Sequence, residues 1–480
     1  MKRMAILFAA CALAAGGSVI ARQSAPERKL GPQVKPFVSV AAPIVALTHV
    51  TLIDGSGKPA RQDQTVVIEG EKLTAVGPSA TTRPPAGAEV LDLTGHTLTP
   101  GIVGLHDHMY YGSPVGGSMR PMLYSYPRLF LASGVTTIRT TGSVDSYQEL
   151  NLREAILAGE TIGPEIHVTG PYLQGVGPGP GAMHPLKGPE DARRMVRYWA
   201  EEGVTWFKAY TQITRAELGA AIDEAHQHGV KVTAHLCSVG FREAVALGID
   251  SLEHGLLTNT EYFPGKKVDE CPTVTDVEMY KDLEIDNNAD VKRTIDEMVK
   301  RNVSMTSTLA VMELSAPSRI PLDSRVLAVL HPDAAKAIAR WHAEGQTKDD
   351  RANQANLRKA MQFERLFVKH GGLLAAGADP CCLSVVAGYG DHRNFELLVE
   401  AGFTVEQAIQ IMTFNGARVL GIDEQVGLVA PGRQADLIVI KGDLTSDPAG
   451  IRHITSVFRK GIGYAPERIL ETIKGVVGAR

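Results

Sequence analysis

The stretch Thr99-Pro100-Gly101-Ile102-Val103-Gly104-Leu105 runs directly into His106-Asp107-His108. Its apolar part is typical of a buried strand. Because residues i and i+2 of a strand point to the same side, we expect the imidazoles of His106 and His108 to leave the strand end together. Two imidazole nitrogens placed in this way suit one divalent metal ion. A single pair is a weak signal, so its meaning depends on the ligand-type residues elsewhere in the chain.

Further residues of ligand type end apolar runs later in the chain, namely Lys208, His235, His254 and Asp379. Taken singly, each histidine is typical of a hydrogen-bonded structural residue, and Asp379 of a cap on the next element. Lys208 requires either a salt bridge or a chemical change, because an unpaired buried ammonium is costly. Its amine can react with CO₂ to give a carbamate that bridges two metal ions. Six such residues in order favour a metal site.

The middle of the chain alternates short apolar runs with longer amphipathic ones. The candidate strands are residues 102–105, 136–139, 165–169, 205–209, 231–234, 251–252, 304–308 and 373–376, and the helices between them include 191–201, 215–228, 241–247, 291–300 and 357–369. This order favours an α/β fold with a (β/α)₈ TIM barrel over an open sheet. In such a barrel the carboxyl ends of the strands carry the chemistry, and the ligand candidates lie there.

The segments on either side of this region resemble short strands broken by Gly and Asp, so we expect them to pair into one small β-sandwich domain. The predicted organisation is a signal peptide over 1–21, a linker over 22–44, the N-terminal part of the small domain over 45–99, the barrel over 100–420, and the C-terminal part of the small domain over 421–470. Two stretches, 170–188 and 310–356, exceed a simple barrel. They are interpreted either as walls or lids over a substrate, or as surface elaboration.

The N-terminus predicts export. Lys2 and Arg3 precede an apolar stretch of about twelve residues and a small-residue exit at Ala21, which is the pattern of a secretory signal peptide. The stretch is too short to span a bilayer, and a buried helix is the alternative reading. We therefore expect a periplasmic or secreted protein.

The cysteines that would remain after processing, Cys237, Cys271, Cys381 and Cys382, have no disulfide-framework spacing. A bridge stays open in an oxidising compartment, but we expect the fold not to depend on one.

Composition excludes some classes of function. The net charge of −4 and the lack of a Lys/Arg-rich run argue against a nucleic-acid partner. No segment after the first two dozen residues is typical of a membrane span. A hydrophobic content of 44% and a charged content of 21% are ordinary for a soluble enzyme. The expected partner is a small-molecule substrate, and a homo-oligomer remains open.

In these features the sequence resembles the amidohydrolase superfamily of metal-dependent hydrolases: His-x-His after strand one, Lys on strand four, His on strands five and six, and Asp on strand eight. The context Phe207-Lys208-Ala209-Tyr210 is similar to the binuclear members, including the imidazolonepropionase-like and metal-dependent prolidase-like groups. The run Gly427-Leu428-Val429-Ala430-Pro431-Gly432 resembles the family's return into its small domain. The resemblance covers about residues 45–465.

The resemblance implies two divalent metal ions, expected to be Zn²⁺. His106, His108 and Asp379 would hold the more buried ion, His235 and His254 the second, and carboxylated Lys208 would bridge them together with a hydroxide. Two cations lower the pKa of a bridging water, and the second ion polarises the scissile carbonyl. Asp379 would take the proton of the attacking hydroxide and pass it to the leaving nitrogen.

Three residues are candidates for contacts with the substrate. Tyr210 can offer its hydroxyl to the carbonyl oxygen, His184 can do the same from the Gly-rich loop, and Arg139 can bind a carboxylate as a bidentate fork. The alternatives are wall packing for Tyr210, a surface position for His184 and a structural ion pair for Arg139.

The predicted function is hydrolysis of an amide C–N bond in a dipeptide, an N-acyl amino acid or a cyclic amide. Peptide-cleaving relatives often carry Lys-Val-Met-Ala-Thr-Gly-Gly at strand four, whereas this chain has Lys208-Ala209-Tyr210-Thr211-Gln212, which weakens a transfer of their specificity. A deaminase or a lactonase on the same scaffold is an alternative, although Lys208 argues against a mononuclear deaminase. A noncatalytic binding protein is a further alternative, against which the intact ligand set argues.

Overall fold

The computed structural model of the protein describes residues 30–112, 114, 119–179 and 182–478. The predicted signal peptide lies outside the described residues, as does the first part of the predicted linker. None of the described helices is long and apolar enough to cross a membrane.

The strands fall into a central group, a sheet built from both ends of the chain, and a short hairpin. The central strands are β7 (Ile102–Asp107), β10 (Val135–Thr140), β11 (Glu165–Val168), β12 (Trp206–Ala209), β13 (Lys231–Ala234), β14 (Ser251–Glu253), β15 (Ser304–Ser307) and β16 (Leu374–Ala376). The terminal strands are β1 (Val38–Val40), β2 (Ile44–Leu52), β3 (Arg61–Glu69), β4 (Lys72–Pro78), β5 (Glu89–Asp92), β6 (His96–Pro100), β17 (Leu437–Lys441), β18 (Ile454–Arg459) and β19 (Ile462–Tyr464). The hairpin is β8 (Tyr110–Gly112) with β9 (Met119–Pro121).

The helices lie mostly between the central strands. They are α1 (Ser125–Ala132), α2 (Ser146–Leu157), α3 (Pro189–Glu201), α4 (Arg215–Gln227), α5 (Phe241–Leu247), α6 (Asp276–Tyr280), α7 (Ala289–Lys300), α8 (Leu309–Met312), α9 (Ser324–Val329), α10 (Pro332–Gly345), α11 (Arg351–Lys369), α12 (Tyr389–Glu400), α13 (Val405–Met412), α14 (Phe414–Leu420) and α15 (Pro466–Glu471). Several begin at a clear cap: in α4, Thr214 and Glu217 form a reciprocal capping box that satisfies the first free backbone donors.

The central strands are parallel and occupy two sheets, in the orders β11-β10-β7 and β12-β13-β14-β15-β16. Each of the eight strands predicted from the sequence is present, because fully buried parallel strands are apolar along their whole length and stand out from the amphipathic helices. Parallel bridges between Thr169 and Trp206 and between Leu173 and Ala209 join the two sheets on one side. On the other side, the backbone N–H of Asp379 donates to the carbonyl oxygen of His106 at 2.7 Å.

The terminal sheet has the order β1-β19-β18-β17-β6-β2-β3-β4, with β5 beside β2. The two ends of the chain therefore pair with each other, and the sheet has its own apolar core, including Val45, Leu47 and Phe458. β17 lies antiparallel to β6, with Leu437 opposite Pro100, immediately before the first central strand. Part of the predicted linker is strand rather than coil, since β1 pairs with β19.

A disulfide and backbone hydrogen bonds connect segments that lie outside the central strands. A disulfide joins Cys237, just after β13, to Cys271, whereas Cys381 and Cys382 are free thiols. The C-terminal segment returns to the 310–356 insertion: the N–H of Val477 donates to Val329 O and the N–H of His331 donates to Val477 O, at 2.9 and 2.8 Å. We refer to residues 473–478 as the C-terminal tail.

Candidate metal centre

Three ligand-type side chains converge at the carboxyl ends of the central strands. One ligand atom each of His106, His254 and Asp379 lies within 4.8 Å of the other two, and all three residues are buried. Oδ2 of Asp379 is 3.7 Å from Nε2 of His106 and 3.9 Å from Nε2 of His254. The three residues come from strands far apart in sequence, so only the fold brings them together.

The other predicted ligands surround this triad. Nε2 of His108 lies 2.9 Å from Oδ1 of Asp379, and Nζ of Lys208 lies 2.8 Å from Nε2 of His106. The His235 ring centroid is 4.5 Å from that of His254. The structure therefore places all six sequence-predicted ligands in one cluster.

Two of the ligands adopt an unusual backbone conformation. His254 has φ of 66° and Asp379 has φ of 51°, both in the left-handed region that residues other than glycine seldom adopt. His254 directly follows β14, and both it and its neighbour Glu253 contact His106: the His254 ring centroid is 4.3 Å from that of His106, and Oε2 of Glu253 is 2.7 Å from Nδ1 of His106. Strained residues of this kind cluster at functional sites.

The outer ring nitrogens of His106 and His254 are already engaged. Nδ1 of His106 is 2.7 Å from Oε2 of Glu253, and Nδ1 of His254 is 2.7 Å from the hydroxyl of Thr308. Nε2 of His254 is buried and has no hydrogen-bond partner within the described residues. Histidines that ligate a metal are held in this way, with one nitrogen fixed by a neighbour and the other turned to the ion. The residues therefore fit a divalent metal ion.

Glu253 was not predicted as a site residue from the sequence. Its contact with Arg139 shows that the predicted role of Arg139 in substrate binding is wrong. Nη2 of Arg139 donates to Oε1 of Glu253 at 2.5 Å, and its Nε donates to the Leu105 carbonyl at 2.8 Å. The guanidinium also lies over the Trp206 ring, 4.4 Å from its centroid. Arg139 is fully buried behind the ligands. It forms the structural ion pair that was the alternative reading, not a fork for a substrate carboxylate.

The charges of the cluster follow from burial and from mutual attraction. Burial would raise the pKa of Glu253, but Arg139 and His106 lower it to about 2, so this carboxylate is ionised. Burial likewise opposes ionisation of Asp379, whose pKa is nevertheless held well below its usual value by His106 and His108. Burial, reinforced by Lys208, lowers the pKa of His106 to about 4, and that of His235 in the same way. These imidazoles are neutral at neutral pH, as metal ligation requires.

Lys208 is buried at the same point. Burial lowers the pKa of its amine to about 8, against the opposing charges of Asp379 and Glu253. A lysine with a lowered pKa adopts the neutral amine form more readily than a lysine at the surface. The chemistry available to it includes metal ligation after modification, as well as hydrogen bonding to His106.

Tyr210 lies beside the cluster, with its ring centroid 5.0 Å from that of His235. Two further tyrosines, which the sequence analysis did not predict, lie beside His108 and Tyr210. The Tyr110 ring stacks on His108 at 4.5 Å, and the Tyr172 ring meets Tyr210 edge-on at 5.2 Å. Together the three rings form one wall of the site.

The prediction for His184 is not met in this structure. His184 is exposed on the loop after β11, and no described contact joins it to the cluster. The neighbouring Leu186 is buried and its N–H donates to the Gln174 carbonyl at 2.7 Å, which fixes the return of the loop while His184 stays at the surface.

Some of the missed residues had a weak sequence signal. Glu253 is a carboxylate in an apolar strand, directly before a ligand candidate, and a buried charge in such a place needs a partner. Tyr110 follows His108 by two residues and so shares its side of an extended segment. Thr308 ends a predicted strand and Tyr172 lies in the predicted stretch 170–188, and neither carried a sequence signal of contact with the ligands.

Comparisons with known proteins agree with this geometry. A family model described as the Amidohydrolase family matches residues 97–462. Among solved structures, a Bifidobacterium longum protein given the name prolidase is 27% identical, with a TM-score of 0.62 over 88% of this chain and 94% of that one.

Curated relatives match over shorter stretches. The imidazolonepropionase of Pseudomonas aeruginosa strain UCBPP-PA14 is 31% identical over 97 residues, or 19% of this chain and 24% of that protein. The N-acyl-D-aspartate deacylase of Alcaligenes xylosoxydans xylosoxydans is 28% identical over 191 residues, or 38% of this chain and 34% of that protein. The chain thus spans about a quarter and about a third of the lengths of these two relatives. Since the family model extends from residue 97 to residue 462 and includes every residue of the cluster, the chain belongs to the Amidohydrolase family.

Proposed function

We propose that the protein is a metal-dependent hydrolase that cleaves an amide C–N bond, with a dipeptide, an N-acyl amino acid or a cyclic amide as substrate. The observation that carries the proposal is the triad of His106, His254 and Asp379, whose ligand atoms lie within 4.8 Å of one another. The outer nitrogens of both histidines are fixed by Glu253 and Thr308. The names of the two relatives, prolidase and N-acyl-D-aspartate deacylase, support an amide substrate.

We further infer two divalent ions, expected to be zinc. His106, His108 and Asp379 would hold one, His235 and His254 the other, and a carbamate on Lys208 would bridge them. When bound, the ions would polarise the scissile carbonyl and lower the pKa of a water molecule between them. The Lys208 amine supports this assignment by its place against Nε2 of His106, at 2.8 Å.

Asp379 is assigned the proton transfers. Its Oδ1 is held by His108 and its Oδ2 faces His106 and His254, so the carboxylate lies between ligands from two strands, β7 and β14. From this place it can accept the proton of the attacking water and donate it to the leaving nitrogen. His106 stays oriented during these transfers because Glu253 holds its other ring nitrogen.

Metal content per chain, measured by elemental analysis on protein purified without chelator, tests the proposal first. We expect about two equivalents of zinc, together with hydrolysis of members of a dipeptide and N-acyl amino acid library that stops when the metal is stripped. One equivalent with deamination but no amide hydrolysis would replace the proposal by the deaminase alternative. No metal, even after zinc is supplied with bicarbonate, would overturn it.

The bridging role of Lys208 has its own test. Lys208→Ala is expected to lower metal content and activity together, and a short-chain carboxylic acid is expected to restore part of both. Lys231→Ala is the matched control, because Lys231 begins the adjacent strand β13 and its amine donates to the Val419 carbonyl instead. Unchanged metal content in Lys208→Ala would exclude the bridge.

We also propose that the eight central strands close into one (β/α)₈ barrel and that the terminal sheet folds into a β-sandwich. The backbone hydrogen bond from Asp379 to His106 supports closure between β16 and β7. The first half of β2 pairs with β5 and its end with β6, which supports a bend of the terminal sheet at β2.

Finally, we propose that the protein is exported after removal of residues 1–21. The disulfide between Cys237 and Cys271 supports an oxidising compartment. Mass spectrometry identifies the N-terminus of protein recovered from the periplasm or medium. We expect that protein to begin with the residue after Ala21. Exported protein that still begins at Met1 would contradict cleavage.

A further inference from the structure

Two buried tyrosines meet hydroxyl to hydroxyl at the edge of the metal centre. The oxygens of Tyr110 and Tyr172 are 2.5 Å apart, and the two residues are only 2% and 3% exposed. Tyr110 begins β8 two residues after His108, and Tyr172 follows β11. The contact thus joins the first strand of the site to the loop after the third.

The pair lies against the ligands. Tyr110 stacks on His108, and Nζ of Lys208 is 5.6 Å from the Tyr172 ring centroid. The Tyr172 ring is also seated on Gly142, where a Cβ would meet ring atoms at 2.2 Å. Its position is therefore fixed by close packing.

The two hydroxyl groups of the pair do not use all of their hydrogen-bond donors. Each hydroxyl carries one hydrogen, and a contact between two hydroxyls uses only one of the two. Three other buried tyrosines each donate to a backbone carbonyl: Tyr111 to Leu383, Tyr126 to Pro380 and Tyr280 to Asn259. Within the described residues, neither Tyr110 nor Tyr172 has such an acceptor. One hydroxyl hydrogen of the pair is left over, and a buried donor without a partner costs free energy.

We propose that this remaining hydrogen is donated to the carbonyl oxygen of the substrate and holds that oxygen as it gains negative charge. This inference rests on the proposed amide hydrolysis and assigns its oxyanion donor to the Tyr110–Tyr172 pair. A donor fixed in advance at the developing charge is among the largest contributions to catalysis. The contact between the two hydroxyls strengthens the hydroxyl that donates to the substrate, because hydrogen bonds in a chain polarise one another.

Tyrosine-to-phenylalanine variants test the proposal in the zinc-loaded protein. The variant that removes the donating hydroxyl is expected to lower kcat about 10²- to 10³-fold, with KM and metal content nearly unchanged. Because the two hydroxyls act as one unit, the Tyr110→Phe/Tyr172→Phe double variant should lose little more than the worse single variant. Tyr280→Phe, which removes a buried hydroxyl that donates to the Asn259 carbonyl, is the matched control. A raised KM or a lowered metal content without a fall in kcat would overturn the proposal. An unchanged kcat in both single variants would do the same.

A binding measurement separates this inference from the proposed function. Methylphosphonate is a tetrahedral anion, and calorimetry on zinc-loaded protein measures its Kd without turnover. We expect a weakening of about tenfold or more in the variant that lacks the donating hydroxyl, and none in Tyr280→Phe. Equal Kd in wild type and all variants would exclude the pair as an oxyanion donor even if wild type hydrolyses amides. Absence of any amide turnover, with the Kd shift present, would overturn the proposed reaction and leave the donor in place.

Discussion

Glu253 contacts three partners with one carboxylate: Nδ1 of His106, Nη2 of Arg139 and the hydroxyl of Thr233. Glu364 is buried as deeply, but its carboxylate accepts from the hydroxyl of Ser307 at 3.0 Å. Burial raises the pKa of Glu364 to about 8, whereas that of Glu253 is lowered to about 2. The difference arises from the cationic partner, since a buried carboxylate stays ionised only when it is paired.

The first prediction compares these two glutamates. Glu253→Gln is expected to weaken zinc binding about 10- to 100-fold, because it removes the charge that orients His106. Glu364→Gln resembles the protonated acid already present at neutral pH, so its zinc affinity should stay close to that of wild type. Competition with a chelating dye measures both. Equal affinities in the two variants would exclude the orienting role of Glu253.

The second prediction concerns the proton transfers assigned to Asp379. Asp379→Asn keeps an oxygen that can contact the metal but cannot carry the proton. We therefore expect it to retain much of its zinc while kcat falls about 10²- to 10⁴-fold. Steady-state kinetics together with elemental analysis of the same preparation measure both quantities. A kcat near that of wild type would remove Asp379 from the proton path.

At the scale of elements, α2 carries a buried acid that no cation among the described residues offsets. Asp145 caps the helix by accepting the N–H of Gln148, and Glu149 lies buried in its first turn. Burial raises the pKa of Glu149 from 4.5 to about 8, despite the hydroxyls of Thr140 and Ser143 that favour its ionised form. The helix packs against β11, and the Glu149 carboxyl group beside the Thr140 hydroxyl is protonated at neutral pH.

The third prediction gives this state a pH dependence. Between its ordinary pKa of 4.5 and about 8, the unfolded chain releases the Glu149 proton while the folded chain keeps it. Fewer protons bound in the unfolded state mean that the free energy of unfolding falls as pH rises through this window. Glu149→Gln cannot titrate, so its stability should exceed that of wild type by a margin that grows from pH 5 to pH 8, to a few kcal/mol.

Urea unfolding of both proteins at several pH values measures this margin. The difference between the two proteins isolates the contribution of Glu149 from that of other titrating groups. Parallel stability curves across the window would contradict the raised pKa.

At the scale of the whole molecule, the terminal sheet and the C-terminal tail both pack against elements next to the site. The terminal sheet places β6 directly before β7, and the C-terminal tail pairs with α9 and the start of α10. Gly478 lies against Tyr111, where an added Cβ would be 3.2 Å from the ring. The hydroxyl of Tyr111 in turn donates to Leu383, in the loop after Asp379, at 2.6 Å. The tail therefore packs the insertion against the strand that follows the first two ligands.

The fourth prediction tests the tail with two neighbouring valines. Val477 is fully buried, whereas Val476 is half-buried. Val477→Ala is expected to lower the free energy of unfolding by about 1–3 kcal/mol and to speed hydrogen exchange at residues 328–331. Val476→Ala should cost less and leave that exchange unchanged. Equal exchange in both variants would mean that the tail does not hold the insertion.

The sequence by itself determined the eight central strands, several of the terminal strands and the six predicted ligands, because each rests on a local pattern: an apolar run and the residue at its end. The family model confirms the resemblance that those patterns carry. Only the tertiary structure decided what surrounds the ligands. Glu253 reaches His106 across 147 positions and Tyr172 reaches Tyr110 across 62, and no local period encodes such contacts. The same reason placed Arg139 behind the ligands and left His184 at the surface: a side chain's role depends on which distant charge or ring the fold sets against it.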